Sequence, residues 1–368
     1  MPTSIRVLLS AIVALLAACA AQPPRGAAPS LANDTLAEPV PVVVERYVSP
    51  AYPKDELDSL ITWPTEDGKT WLIATAKSGH RLVVFDADTG ERLREVGGKG
   101  SAPGQFLRPN GVAIFGNDLF VTERDNHRVQ VLSLPEFKSL GTFGEQQLRS
   151  PYGLWLNETA PDELEVYVTD SYMEGPRFDV VPAFDKLNER VRRYRVDLAD
   201  DGSFTAKDDG AFGDTSSDAA LRMVESIAGD PAQDRLLVAD EDMRHLSTLR
   251  EYTFGGRYTG RSVPRGSFDA EAEGIALWSC SVDSGYWVAV DQLSPLSRFR
   301  LFDRKTLEPR GSFTGRTVAQ TDGIALHAAA TGRFPAGALF AVHDDESVAA
   351  FDLRDVVAAL NLDPACLH

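Results

Sequence analysis

Six short apolar strands along this chain open in the same way, and that repetition narrows the folds available to it more than any other feature. They begin "DSLITW" (Asp58), "NGVAIF" (Asn110), "YGLWLN" (Tyr152), "ESIAGD" (Glu225), "EGIALW" (Glu273) and "DGIALH" (Asp322). A second apolar strand follows each one, as in "TWLIATA", "DLFVTE" and "ALFAVHD", and then a third, as in "RLVVFD" and "SRFRLFD". Four of the first five units add a more polar fourth strand, such as "ERLREVG" and "SLGTFG". The units recur at about 50 residues, with a longer gap after Tyr172, and four strands at such a period form propeller blades. The expected fold is therefore all-β: a six-bladed β-propeller of four-stranded antiparallel blades. The extended segment "PVVVERYV" (41–48) is expected to supply the outer strand of the last blade and so cover an open edge. The helical pattern "LRDVVAALNL" near the C-terminus is expected to pack on the outside.

The ends of the chain suggest where it works. Residues 1–18 carry Arg6 and then an apolar run too short for a standard membrane span, which reads as a signal peptide. The run ends in "LAAC", a stretch that resembles a bacterial lipobox and implies lipidation of Cys19. A Pro/Ala-rich tether follows over 19–40, then the propeller over 41–362 and a tail over 363–368. The reading is an exported bacterial lipoprotein, periplasmic, at the outer membrane or secreted, that meets the membrane only through its lipid and is monomeric. Two further cysteines, Cys280 and Cys366, are free to pair in an oxidising compartment or to remain thiols. The net charge of −17 argues against nucleic acid as a partner. It also repels anionic substrates unless a bound cation inverts the local field.

The repeat brings carboxylates together. The residues opening the innermost strands are Asp58, Asn110, Tyr152, Glu225, Glu273 and Asp322, and four of these six are acidic. Blade symmetry places them around one mouth of the central channel. Second strands return to the same face, and they end near Lys77, Glu123-Arg124-Asp125, Asp170, Asp240-Glu241-Asp242, Asp291 and His343-Asp344-Asp345-Glu346. Carboxylates gathered this closely repel one another unless something positive sits among them. An oxygen-only donor set suits Ca²⁺ better than Zn²⁺, and the chain has only six histidines with no His/Cys pair at metal spacing. Lys77 and Arg124, in neighbouring blades, are candidate phosphate contacts or else ordinary ion-pair partners.

These stretches resemble the β-propeller phytases, calcium-dependent enzymes that hydrolyse myo-inositol hexakisphosphate. "DSLITWP…LIATAKSGHRLVVFD" looks like their opening blade, "EAEGIALW…GYWVAVDQLSPLSRFRLFDR" like their D-I-E-G-L blade, and "QTDGIAL…ALFAVHDD" like their closing D-T-D-G-I blade. The resemblance implies several calcium ions and a water that attacks phosphorus. It implies that Asp58, Glu225, Glu273 and Asp322 are catalytic calcium ligands and that Asp240, Asp291 and Asp344 are further ligands. It places Lys77, Arg124 and Tyr152 on a small polyanionic substrate. A second resemblance covers "GQFLRPNGVAIFGNDLFVTERDNHRVQVLSL" (104–134), which looks like an NHL repeat, a unit often found in binding surfaces without catalysis. Related six-bladed propellers include metal-dependent lactonases, so a calcium-dependent lactonase or esterase is a further alternative. No Ser-His-Asp nucleophile pattern stands out.

Overall fold

A computed structural model describes residues 39–199 and 201–367. The expected signal peptide, Cys19 and nearly all of the tether lie outside the described residues. From Val43 onward the strands form six four-stranded antiparallel sheets arranged as a six-bladed propeller. Blade 1 holds Leu57–Pro64, Thr70–Ala76, Arg81–Asp86 and Arg92–Gly97. Blades 2 to 5 open with Pro109–Phe115, Pro151–Ala160, Val224–Asp230 and Ala272–Ser279, and blade 6 with Ile324–His327. The opening strands touch in sequence and the first meets the last, closing a ring around a channel. Blade 6 takes its outer strand from Tyr47–Val48, paired antiparallel with Ala350 and Ala349, as the N-terminal segment led us to expect. Blade 4 has an outer strand, Tyr258–Ser262, that its polar sequence did not announce.

The core is divided into six slabs, each between two blades. In blade 1, Leu72, Ala74, Val83 and Phe85 face blade 6, while Ile73, Leu82 and Val84 face blade 2. Alternate side chains on a strand point to opposite faces, so strands buried on both faces are apolar throughout. This is why the second and third strands read as continuous apolar runs. The outer Arg92–Gly97 faces solvent and is mostly polar.

Helix Leu353–Leu360 starts at Asp352, whose carboxylate accepts from Arg354 N–H, and stops at Asn361 in the left-handed conformation. Its Leu353, Val356 and Val357 enter the slab between blades 5 and 6. Cys366 joins the same slab and is disulfide-bonded to Cys280, tying the tail to blade 5.

Candidate functional site

Each of the first five opening strands carries a register irregularity at or just after the residue named from the repeat: between Leu57 and Leu60, Pro109 and Val112, Pro151 and Leu154, Val224 and Ile227, and, after the paired Glu273, between Glu273 and Ile275. A bulge adds an unpaired residue and re-aims a side chain, so the same bulge repeated around the axis gathers Asp58, Asn110, Tyr152, Glu225 and Glu273 at one mouth. Asp322 precedes the paired part of blade 6 and completes the ring. Gly323 earns its place by close approach, since a Cβ there would collide with the Asp58 carbonyl of the next blade. Three threonines lock half of the ring. Thr75, Thr122 and Thr169 each donate to the carbonyl of the next blade's ring residue: Asn110, Tyr152 and Glu225.

The ring has two unlike halves. On one side the Lys77 ammonium lies 2.7 Å from Asp322 and 3.5 Å from Asp58. Gln292 donates to the other oxygen of Asp322. On the opposite side Glu225, Glu241 and Glu273 turn toward one another, with one oxygen of each lying within 4.8 Å of the others. No basic side chain of the described residues forms an ion pair with these three. Burial pushes Glu241 up to about 7, and burial with mutual repulsion holds Glu225 and Glu273 well above the ordinary carboxylate range. Burial also lifts Asp58 to about 7 against the pull of Lys77. Burial works against the charge on Lys77, but Asp58 and Asp322 outweigh it and hold the ammonium protonated. Tyr152, buried beside Asp58 and Glu225, stays a neutral phenol.

A cavity of about 1230 Å³ is lined by two of these glutamates, Glu225 and Glu241. Its floor includes Tyr152, Glu225, Glu241 and Glu271, and its walls come from blades 2 to 4 and from the segment after Tyr172. Arg124 lines it, and so do Arg149 and Arg244. These cations are paired at the rim, Arg124 with Asp125 at 2.7 Å, Arg149 with Glu189 at 2.8 Å and Arg244 with Asp242 at 2.7 Å. The opposite part of the channel is a separate apolar space lined by Leu60, Val112, Leu154, Ile227, Ile275 and Ile324.

Four expectations need correction. Asp240 and Asp291 are not at the channel mouth. Asp240 accepts from the backbone N–H groups of Arg222 and Met223, each at 3.1 Å, and Asp291 accepts from those of Asp269 and Ala270 and from Arg300. Each carboxylate braces the loop that enters its own blade, as Asp170 does with Arg149 and Ser150. The next residue points the other way, so Glu241 and Gln292 hold the inward positions. The sequence marks Glu241 only as one of the three acids 240–242, with Asp240 as the expected ligand, and gives Gln292 no role. Asp344 is half exposed and pairs with His343, and Asp345 lies nearer the ring, raised to about 6 by burial and by Asp322. Both have left-handed backbone, which breaks the alternation there. Lys77 is buried and held by carboxylates, so it is not presented to a substrate.

Calcium is the ion implied by the sequence resemblance, and the donor chemistry fits it on one side of the ring. Glu225, Glu241 and Glu273 offer hard oxygens only, converge on one volume and form no ion pair with a basic side chain among the described residues. The other half already holds a cation, so the residues fit fewer ions than the several implied.

Comparison with known proteins agrees with the architecture. Residues 106–132 match the NHL repeat family. No curated protein sequence matches the chain. Among solved structures, a gluconolactonase from Xanthomonas campestris superposes with a TM-score of 0.52 at 14% identity, over 83% of this chain and 88% of that one. Hydrazine synthase from Kuenenia stuttgartiensis superposes with a TM-score of 0.50 at 13% identity, over 86% and 82%. At such identities the likeness establishes a shared fold and nothing about chemistry. The chain is a six-bladed β-propeller whose second blade matches the NHL repeat over residues 106–132.

Proposed function

We propose that this protein is a calcium-dependent hydrolase of phosphate monoesters, with phytate or a related polyphosphorylated compound as substrate. The observation that carries the reading is the set of three facing glutamates, in no ion pair with a basic side chain among the described residues, two of which, Glu225 and Glu241, line a substrate-sized cavity. Calcium bound there would relieve their repulsion, polarise a phosphoryl oxygen and make a water more acidic. Tyr152, neutral at the cavity floor, is placed to donate a hydrogen bond to a substrate oxygen. Arg124 and Arg149 exchange their partly exposed partners for phosphate at little cost, because exposed ion pairs contribute only about 0–1 kcal/mol. The N-terminal sequence supports action outside the cytoplasm on a lipid anchor.

A second reading, an ester or lactone hydrolase, draws on a different observation. Every methionine except Met1, namely Met173, Met223 and Met243, lines this cavity together with Tyr172 and Phe178. Methionine is adaptable apolar surface, and phytate has nothing apolar to place against it. The test is one panel of phytate, aryl phosphates and lactones, assayed with the purified protein in calcium and in chelator. Calcium-dependent phosphate release supports the first reading. Turnover of lactones alone rejects it in favour of the second, and no turnover of any substrate rejects both.

A further inference from the structure

We propose that Lys77 is a tethered stand-in for a second metal ion, so that the ring takes a single divalent cation, on Glu225, Glu241 and Glu273. The inference rests on the reading that these three glutamates hold a divalent ion, and adds that their counterpart across the axis is already filled. Lys77 is the first residue after the strand Thr70–Ala76, and Glu241 is the first after Arg235–Asp240. Both positions therefore aim at the axis, and the chain puts a cation in one and an anion in the other.

The surroundings of Lys77 have the makings of a cation site. Its ammonium contacts Asp322 at 2.7 Å, Asp58 at 3.5 Å and Glu56 at 3.8 Å. Asp58 is 2% exposed, and its Oδ2 has no hydrogen-bond partner. Without the lysine, this half would present several buried or half-buried carboxylate oxygens and no cation but Arg108, which is committed to Glu56. That is a calcium-like donor set. With the lysine in place, an added divalent ion would meet an ammonium at contact distance and be repelled. The tether keeps this half neutralised at any calcium level, whereas the glutamate half depends on the free ion. Blade 5 reinforces the arrangement, since Gln292 gives Asp322 a neutral donor where a carboxylate would have invited another ion.

Calcium titration by calorimetry on the full chain, stripped with chelator, tests the idea. The wild-type protein should bind one ion. Lys77→Met should bind two, and the double variant Lys77→Met/Asp58→Asn should return to one. Two or more ions in the wild type, or one ion in Lys77→Met, overturns the role of Lys77 and leaves the glutamate site standing. No binding to the wild type overturns that site and this inference together. If Lys77→Met unfolds when stripped, its thermal melting in calcium decides: recovery of the wild-type melting temperature supports substitution by an ion, and failure to recover overturns it.

Discussion

Two sets of buried acids sit one residue apart in sequence and behave in opposite ways. Asp240 and Asp291 end their strands, turn outward, and are met by backbone N–H groups and arginine. Glu241, the next residue, turns inward and is met by two more carboxylates. Both are carboxylates and the burial is similar, so what differs is the supply of donors. A buried carboxylate met by donors organises the fold, whereas one met by other carboxylates holds repulsion that an added cation can release. Substitutions in the two sets should therefore separate stability from ion binding.

The largest effect is expected at Asp291. Replacing it with alanine strands two part-buried N–H donors and leaves Arg300 with Asp269 alone of its two carboxylate partners, a change that costs about 1–3 kcal/mol for each unmet donor. Chemical denaturation should show that loss, while calcium affinity of the folded fraction stays within about twofold of wild type. A stable Asp291→Ala variant that no longer binds calcium would merge the two sets and break the comparison.

A smaller effect, of opposite sign, is expected at Glu241. Its folded pKa, about 7, lies above the ordinary 4.5 for glutamate, so the folded state holds its proton more tightly than the unfolded state does. Stability from this group is then fully present below the unfolded value and is lost as pH rises through about 7. Asp58, also raised to about 7, adds to the same slope. Metal-free protein should melt at lower temperature at pH 8 than at pH 5, with a loss of stability on the order of 2 kcal/mol. Glu241→Gln should flatten the slope and be as stable as wild type or more so, while losing the ion. Calcium should flatten the slope in the wild type and not in this variant. A metal-free protein that is steadier at pH 8 than at pH 5 would contradict the electrostatics of the inner set.

The same two sets mark how far the sequence could be read. The blade count, the closing strand and the ring residues were legible because a strand repeated six times has one consistent closed solution. The outcome at Asp240 and Glu241 was not, because side chains alternate along a strand and an error of one residue reverses which face each occupies. At Asp344 and Asp345 two successive left-handed residues end the alternation, and nothing in "VHDDES" signals that. Lys77 was legible as a cation near the ring but not as one of its members, since its three carboxylate neighbours come from opposite ends of the chain. The disulfide was legible only as a possibility, for it depends on where the helix returns the tail.

The smallest structural effect is expected at Arg124, which belongs to neither set. Its partner Asp125 is an adjacent residue and both side chains are more than a third exposed, so Arg124→Ala should change stability by less than about 0.5 kcal/mol. If the cavity takes a phosphate ester, the same substitution removes one charge-assisted hydrogen bond, worth about 1.5–3 kcal/mol, and KM should rise at least about tenfold. If instead the cavity takes a lactone or an apolar ester, Arg124→Ala should leave KM unchanged, and Phe178→Ala should raise it. Phe178 is 77% exposed on the cavity wall, so losing it should cost the fold little. Steady-state kinetics of the two variants on one phosphate ester and one lactone therefore sort the substrate classes without disturbing either set of acids, and the inner carboxylates keep the same role under both outcomes.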